Sequence, residues 1–369
     1  MKLPPWLAVT LVVAVVLATG LFWLMRPPPT LTVVSWGDVY GRAQTIALFH
    51  PFSDTTHVDV NIANYGGGLK EIANQVTSGK IDWDVVDLEL EDAAAACRQG
   101  LLERLDGIEL PAGANGYSAQ RDFVPGALGP CWVGSAVYSQ VIAVDASRFG
   151  DNQPRRLDDF FDLQRFPGLR GLREGPKFNL ELALIADGVQ PWRVYSILST
   201  REGVDRAFRK LDTIKSSIVW WRRTADPQAL LKQGKVTMIT ALNARVFDLN
   251  ADPEIRTIWD GQLYQLDVFG IPKGDPKRQL ALNFIRFATA PAALAEEARY
   301  LPYGPARLSA IALVGFNPEN QADMRPYLPT TPANFTRALE VDPDWWAQHG
   351  AQIQARWNTW INARPLSSN

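Results

Sequence analysis

The chain has 369 residues, with 37 basic and 39 acidic side chains and a formal net charge of −2. Hydrophobic residues make up 47 % and charged residues 21 %, the balance of a packed globular protein long enough for two domains. A phosphate-binding face needs a basic excess or cluster, so no nucleic-acid partner is expected.

Lys2 precedes an uncharged apolar run over residues 6–25, followed by Arg26 and Pro27-Pro28-Pro29. Such a run either leads a chain through a translocon or anchors it in a bilayer. Residues 1–29 therefore read as a signal peptide, with small residues at Ala18-Thr19-Gly20 for cleavage, or as an uncleaved membrane tether with a proline linker. Both readings export the protein to the periplasm. No Cys follows the run, so it is not a lipoprotein signal.

Residues 31–35 predict a buried strand, and Trp36-Gly37-Asp38 turns into a helix over 41–52. A second strand at 58–63, the turn Gly66-Gly67-Gly68 and a helix at 69–78 follow. A third strand at 83–88 precedes a helix carrying the alanine run 93–96. Strand and helix alternating at this spacing predict an α/β fold with a parallel sheet. In such sheets ligands bind outside the carboxyl ends of the strands, where Trp36, Asp38 and Glu89 fall.

The apolar stretch 133–144 leads from one lobe into the other. Helices are expected at 157–161, 180–187, 201–211 and 227–232, with strands at 218–221 and 236–240. Residues 267–271 read as a strand returning to the first lobe, 280–288 as a helix, and 344–363 as a Trp-rich helix pair. Cys97 and Cys131 form an even pair that favours one disulfide in an oxidising compartment, two separate buried thiols being the alternative. A bridge there adds roughly 3 kcal/mol in the chain-entropy model.

No enzyme signal stands out. His50, His57 and His349 lack metal-ligand spacing. No G-x-S-x-G elbow, phosphate loop or dinucleotide fingerprint occurs. Carboxylates such as Glu89 with Asp92 leave a cleft hydrolase as the rival from another class. No cofactor or metal is implied.

Several segments in order resemble a known family. Ser35-Trp36-Gly37-Asp38-Val39-Tyr40, Tyr65-Gly66-Gly67-Gly68-Leu69 and Trp83-Asp84-Val85-Val86-Asp87-Leu88-Glu89 open the pattern. Cys131-Trp132-Val133-Gly134-Ser135, Phe166-Pro167-Gly168-Leu169-Arg170-Gly171 and Ile218-Val219-Trp220-Trp221 continue it. Trp259-Asp260-Gly261-Gln262-Leu263-Tyr264 and Phe269-Gly270-Ile271-Pro272-Lys273-Gly274 complete it. The chain resembles the spermidine/putrescine-type substrate-binding proteins of ABC importers. That resemblance implies a two-lobed type II periplasmic-binding-protein fold that closes over its ligand and passes it to an ABC permease. The expected lobes are 30–138 plus 266–315 and 139–265, with 316–369 packing on them as a helical tail. The protein is expected to be a monomer.

The resemblance also implies the cleft: Trp36, Asp38, Glu89, Asp267 and Tyr303 from the first lobe, and Trp221 and Asn243 from the second. A protonated amine leaving water needs carboxylates, and aromatic faces add cation–π contacts of roughly 0.5–2 kcal/mol each. Asp38, Glu89 and Asp267 are the expected anions; Trp36, Trp221 and Tyr303 the expected walls. Only one of Trp220 and Trp221 can face the cleft, because neighbours on a strand point to opposite sides.

The family pattern breaks at Thr240-Ala241-Leu242-Asn243-Ala244-Arg245, where polyamine binders carry a Trp or a carboxylate. Arg245, with Arg223 as a further cation, suits a ligand carboxylate and repels a second amine. Gln265 stands where diamine binders place an aromatic. The expected ligand is a polyamine such as putrescine or spermidine; the alternative is a zwitterionic ω-amino acid such as γ-aminobutyrate (GABA).

Overall fold

The computed structural model describes residues 27–249 and 252–363. The apolar run expected to direct export lies outside the described residues. Among those described, no helix is long and apolar enough to cross a membrane.

The first lobe starts from three parallel strands: β1 (Thr30–Ser35), β2 (Asp59–Asn64) and β3 (Val85–Glu89). Val33, Val34, Val85 and Val86 are fully buried, as expected of strands covered on both faces. The second lobe carries β5 (Arg170–Arg173), β6 (Ile218–Trp221) and β7 (Met238–Leu242), parallel where they pair. Two long strands join the lobes: β4 (Val133–Asp145) and β8 (Ile255–Gly270), of 13 and 16 residues. The sheet order is β2-β1-β3-β8-β4-β7-β5-β6, so one sheet runs through both lobes. β8 is antiparallel to β3 and β4, and two short strands, β9 (Gly304–Pro305) and β10 (Leu339–Glu340), pair with β4 and β8.

The sequence predicts only the last part of β8, as a strand over 267–271. Gly261 sits within the strand at φ 75°, where a Cβ would lie 2.5 Å from the Leu157 side chain. Close packing against the second lobe, rather than chain reversal, is what requires a glycine there. The β4–β8 register shifts twice, between Gly134 and Ala136 and between Gln140 and Ile142, and each shift bends the crossing pair.

Each lobe has its own core. The first packs Leu31, Phe49, Phe52, Phe269 and Phe284 between sheet and helices, each burial contributing roughly 1.5–3 kcal/mol. The second has a large core on one sheet face and a smaller one, around Trp221, on the other. The tail is one helix, Pro343–Asn362, rather than a pair. The Asp342 side chain caps it by accepting from the amides of Asp344 and Trp345, and Trp345, Trp346, Ile353 and Trp357 are its buried residues. Trp220 turns to this helix, meeting Trp357 and Trp360 with ring centroids 5.4 and 6.2 Å apart. An Arg98–Asp344 pair ties the helix to the first lobe. Cys97 and Cys131 are disulfide-bonded, fastening the end of helix Leu90–Arg98 to the start of β4.

Candidate ligand-binding site

The carboxyl end of β3 and the middle of β8 bring Glu89 directly opposite Asp267, on the same side of the sheet. Asp87, two residues before Glu89 on β3, lies on that side as well. Asp267 is 4 % exposed and Asp87 fully buried. Burial pushes the Asp267 carboxyl well above the usual range, and Asp87 and Glu89 push it further. Burial raises Glu89 too, opposed by the nearby Tyr138 hydroxyl and by Lys177. Anions this deep need a cation or a proton.

Tyrosines ring the cluster. β1 ends at Ser35, and Gly37 and Asp38 turn the chain with φ of 76° and 46° into the helix Asp38–Gln44. That turn lays Tyr40 over the sheet, where its hydroxyl donates to Asp87 Oδ2 at 3.0 Å. Tyr40 and Tyr138 both lean on Tyr303, with centroids 5.6 and 5.8 Å apart. Burial and the surrounding carboxylates hold the Tyr40, Tyr138 and Tyr303 hydroxyls above their ordinary range, so they stay protonated and donate. Trp36 lies tilted against Tyr65 with ring centroids 5.4 Å apart, and its indole N–H is buried without a partner.

From the second lobe, Arg245 lies close enough to Tyr303 for its charge to oppose the rise of that hydroxyl. Its side chain is 47 % exposed and reaches Asp248 only at 3.9 Å. Lys177 reaches across to Glu91 on the first lobe. One end of this arrangement is thus rich in buried anions, the other holds a loosely engaged guanidinium, and aromatic rings lie between.

The structure brings Trp36, Glu89, Asp267, Tyr303 and Arg245 to this region. It does not bring Asp38, Trp221 and Asn243 into the cluster. Asp38 is exposed at the start of its helix, where the backbone turn, not the carboxylate, is what positions Tyr40. Trp221 is packed in the smaller core of the second lobe, with its N–H buried and unpartnered. Asn243 has both ends of its amide engaged: Oδ1 accepts from Ser139 N at 2.9 Å, and Nδ2 donates to Pro302 O at 2.5 Å. It holds the loop carrying Tyr303 rather than offering the amide to a ligand. Arg223 lies on the surface, paired with Asp226.

Sequence reasoning passed over Asp87, Tyr40, Tyr138 and Glu297. The signal for Glu297 was its place in Pro291–Glu297, where Leu294 and Ala295 are also buried; a carboxylate on that apolar face has to answer to something.

The model for bacterial extracellular solute-binding proteins matches residues 47–351. A γ-aminobutyric acid-binding protein of Pseudomonas aeruginosa is 37 % identical over 332 residues, 90 % of each chain. The solved GABA receptor Atu4243 is 29 % identical with a TM-score of 0.72, over 92 % of this chain and all of that one. The spermidine/putrescine-binding PotD of Streptococcus pneumoniae has a TM-score of 0.69 at 15 % identity, over 90 % of this chain and all of that one, a likeness of fold alone. The family resemblance read from the sequence is correct at the level of fold and transport role, while its narrowing to the polyamine type is not supported. These relatives are solute carriers, not enzymes, which removes the hydrolase rival. The chain belongs to the bacterial extracellular solute-binding proteins, the exported components that capture a small solute for an ABC importer.

Proposed function

We propose that the protein captures a linear ω-amino acid of the γ-aminobutyrate class between its lobes and presents it to an ABC permease. The observation that carries this reading is the opposition of charges: buried Asp267 with half-buried Glu89 at one end, half-exposed Arg245 beside Tyr303 at the other. The ligand ammonium would supply the cation that Asp267 lacks and add to the pull of Lys177 on Glu89. Tyr40, Tyr138 and Tyr303 would enclose the methylene chain, and Arg245 would receive the carboxylate, for which its planar fork is suited. A polyamine would meet that guanidinium with a second positive charge. The GABA-binding relatives support the ω-amino acid over the polyamine first expected from the sequence.

Closure of the second lobe onto the first would complete the site and form the surface that a permease reads. Calorimetric titration with GABA, putrescine and spermidine tests the proposal. Binding of GABA, with weak or absent binding of the two polyamines, is the expected result. Tight polyamine binding that is indifferent to Arg245→Ala would overturn it.

A further inference from the structure

Beneath the amine site, the first lobe buries a second polar layer that no ligand atom needs to touch. Ser35 on β1 follows the Val34–Val86 pair and so lies beside Asp87, on the same side of the sheet. The first register shift of β4 leaves Ser135 as the extra residue, its hydroxyl close to Asp87. Gln44 descends from the helix above and donates through Nε2 to Asp87 Oδ2 at 2.6 Å. Glu297 reaches Gln44 from the helix Pro291–Glu297, a contact that favours its ionised form against the burial that opposes it. All five side chains are at most 4 % exposed.

Each of them carries an oxygen with no partner: Ser35 Oγ, Gln44 Oε1, Asp87 Oδ1, Ser135 Oγ and Glu297 Oε1. Buried oxygens are normally satisfied, and unpaired ones are costly. Among the described residues no Lys or Arg pairs with Asp87, Glu297 or Asp267. Lys177 and Arg245 serve elsewhere: Lys177 at Glu91 and Glu89, Arg245 beside Tyr303. Tyr40, Tyr65, Tyr138 and Tyr303 face the cluster as neutral donors.

One proton eases this. Placed on Glu297, it removes the repulsion between that carboxyl and Asp87, which share the Gln44 amide between them. The Ser135 hydroxyl then turns to Asp87 Oδ1. We propose that Glu297, Gln44 and Asp87 form a buried proton-sharing relay, and that capture of a cationic amine at Asp267 and Glu89 displaces its proton. The second half of this inference rests on the amine-binding reading; the first half does not. The exchange balances in charge: one ammonium enters and one proton leaves Glu297 for the buffer, with no other bond made or broken. Burial, with the negative charge of Asp87 added, lifts the Glu297 carboxyl to about 8, so the proton is in place at neutral pH. A positive charge arriving above it lowers that value and releases the proton. The ammonium of the ligand, a lysine-like amine, stays charged throughout this range. Affinity therefore rises as pH increases from about 6.5 toward 8.5.

Two measurements test the relay. Infrared spectra of the ligand-free protein labelled with ¹³C-carboxyl glutamate should show a protonated carboxyl band at pH 6.5 that Glu297→Gln removes. Titration of GABA at pH 7.5 in phosphate and in Tris should give heats that differ by the buffer ionisation enthalpy times about one proton released. That difference should fall at least twofold in Glu297→Gln. Asp87→Asn is the second variant, should the first not fold, and should likewise shrink the difference. Equal heats in the two buffers, with GABA bound, would sink the proton release. Absence of the infrared band would sink the relay itself, whether or not GABA binds. Heats that follow sodium against choline rather than buffer identity would replace the proton by a bound cation and overturn the proposal.

Discussion

Replacing Asp267 by Asn should change affinity and stability in opposite directions. Asp267 is 4 % exposed, faces Glu89 across the β3–β8 pair, and feels Asp87 as well. In the ligand-free protein its carboxyl is raised by burial and by like charges, so a neutral amide of the same shape relieves repulsion. Relief of about 1 kcal/mol raises Tm by about 2 °C in a domain of this size. In the complex the same change removes one of two carboxylates sharing the ammonium. Breaking a buried ion pair costs about 3–5 kcal/mol; with Glu89 retained, the lower end applies, about a 100-fold loss of GABA affinity. Differential scanning fluorimetry at pH 8 and calorimetric titration read the two arms separately. A variant that melts lower than wild type yet binds GABA within threefold would mean that Asp267 is a structural acid, and the charge argument for the site would fail.

Arg245→Ala should weaken GABA binding by about 10- to 100-fold, the value of hydrogen bonds to a charged group, while leaving Tm within about 1 °C because its contact with the Asp248 carboxylate is long and exposed. Spermidine binding, if measured, should not weaken in that variant. Ligand-free stability should fall as pH rises from 6 to 9: Glu297 holds its proton more tightly folded than unfolded, so its contribution is present at low pH and is lost through about 8. Glu297→Gln should flatten that slope in fluorimetric melts taken across the range. The double substitution Cys97→Ser, Cys131→Ser should cost roughly 3 kcal/mol in urea unfolding, and reductant should lower wild type toward the same midpoint.

Much of the fold is legible in the sequence because buried parallel strands write themselves as β-branched runs. The strands predicted at 31–35 and 83–88, the helix at 157–161 and the strand at 218–221 needed little more than periodicity and turn residues. The first half of β8 did not, because Gly261 breaks its run of β-branched and aromatic residues, although that glycine is there for close packing against Leu157. The candidate site was legible where a charge stood at a strand end, as for Glu89 and Asp267. It was hidden where function came from geometry instead. Asp38 was read for its carboxylate, yet its left-handed backbone is what delivers Tyr40. Asn243 was read for its amide, and that amide is spent between Ser139 and Pro302. Tyr138 lies within an apolar strand that gives no hint of which of its residues will meet a carboxylate.

The placement of β8 between β3 and β4 has a consequence for how the protein comes into being. The strand that fills the middle of the first lobe's sheet is made only after β5, β6 and β7 of the second lobe have been synthesised. A chain emerging from its N-terminus therefore holds β1, β2, β3 and β4 with a gap at their centre until residue 270 has appeared. Such long-range pairing forms slowly. For a polypeptide that must be threaded across a membrane before it works, the delay keeps the leading half open and transportable, and the late strand acts as the key that locks it on arrival.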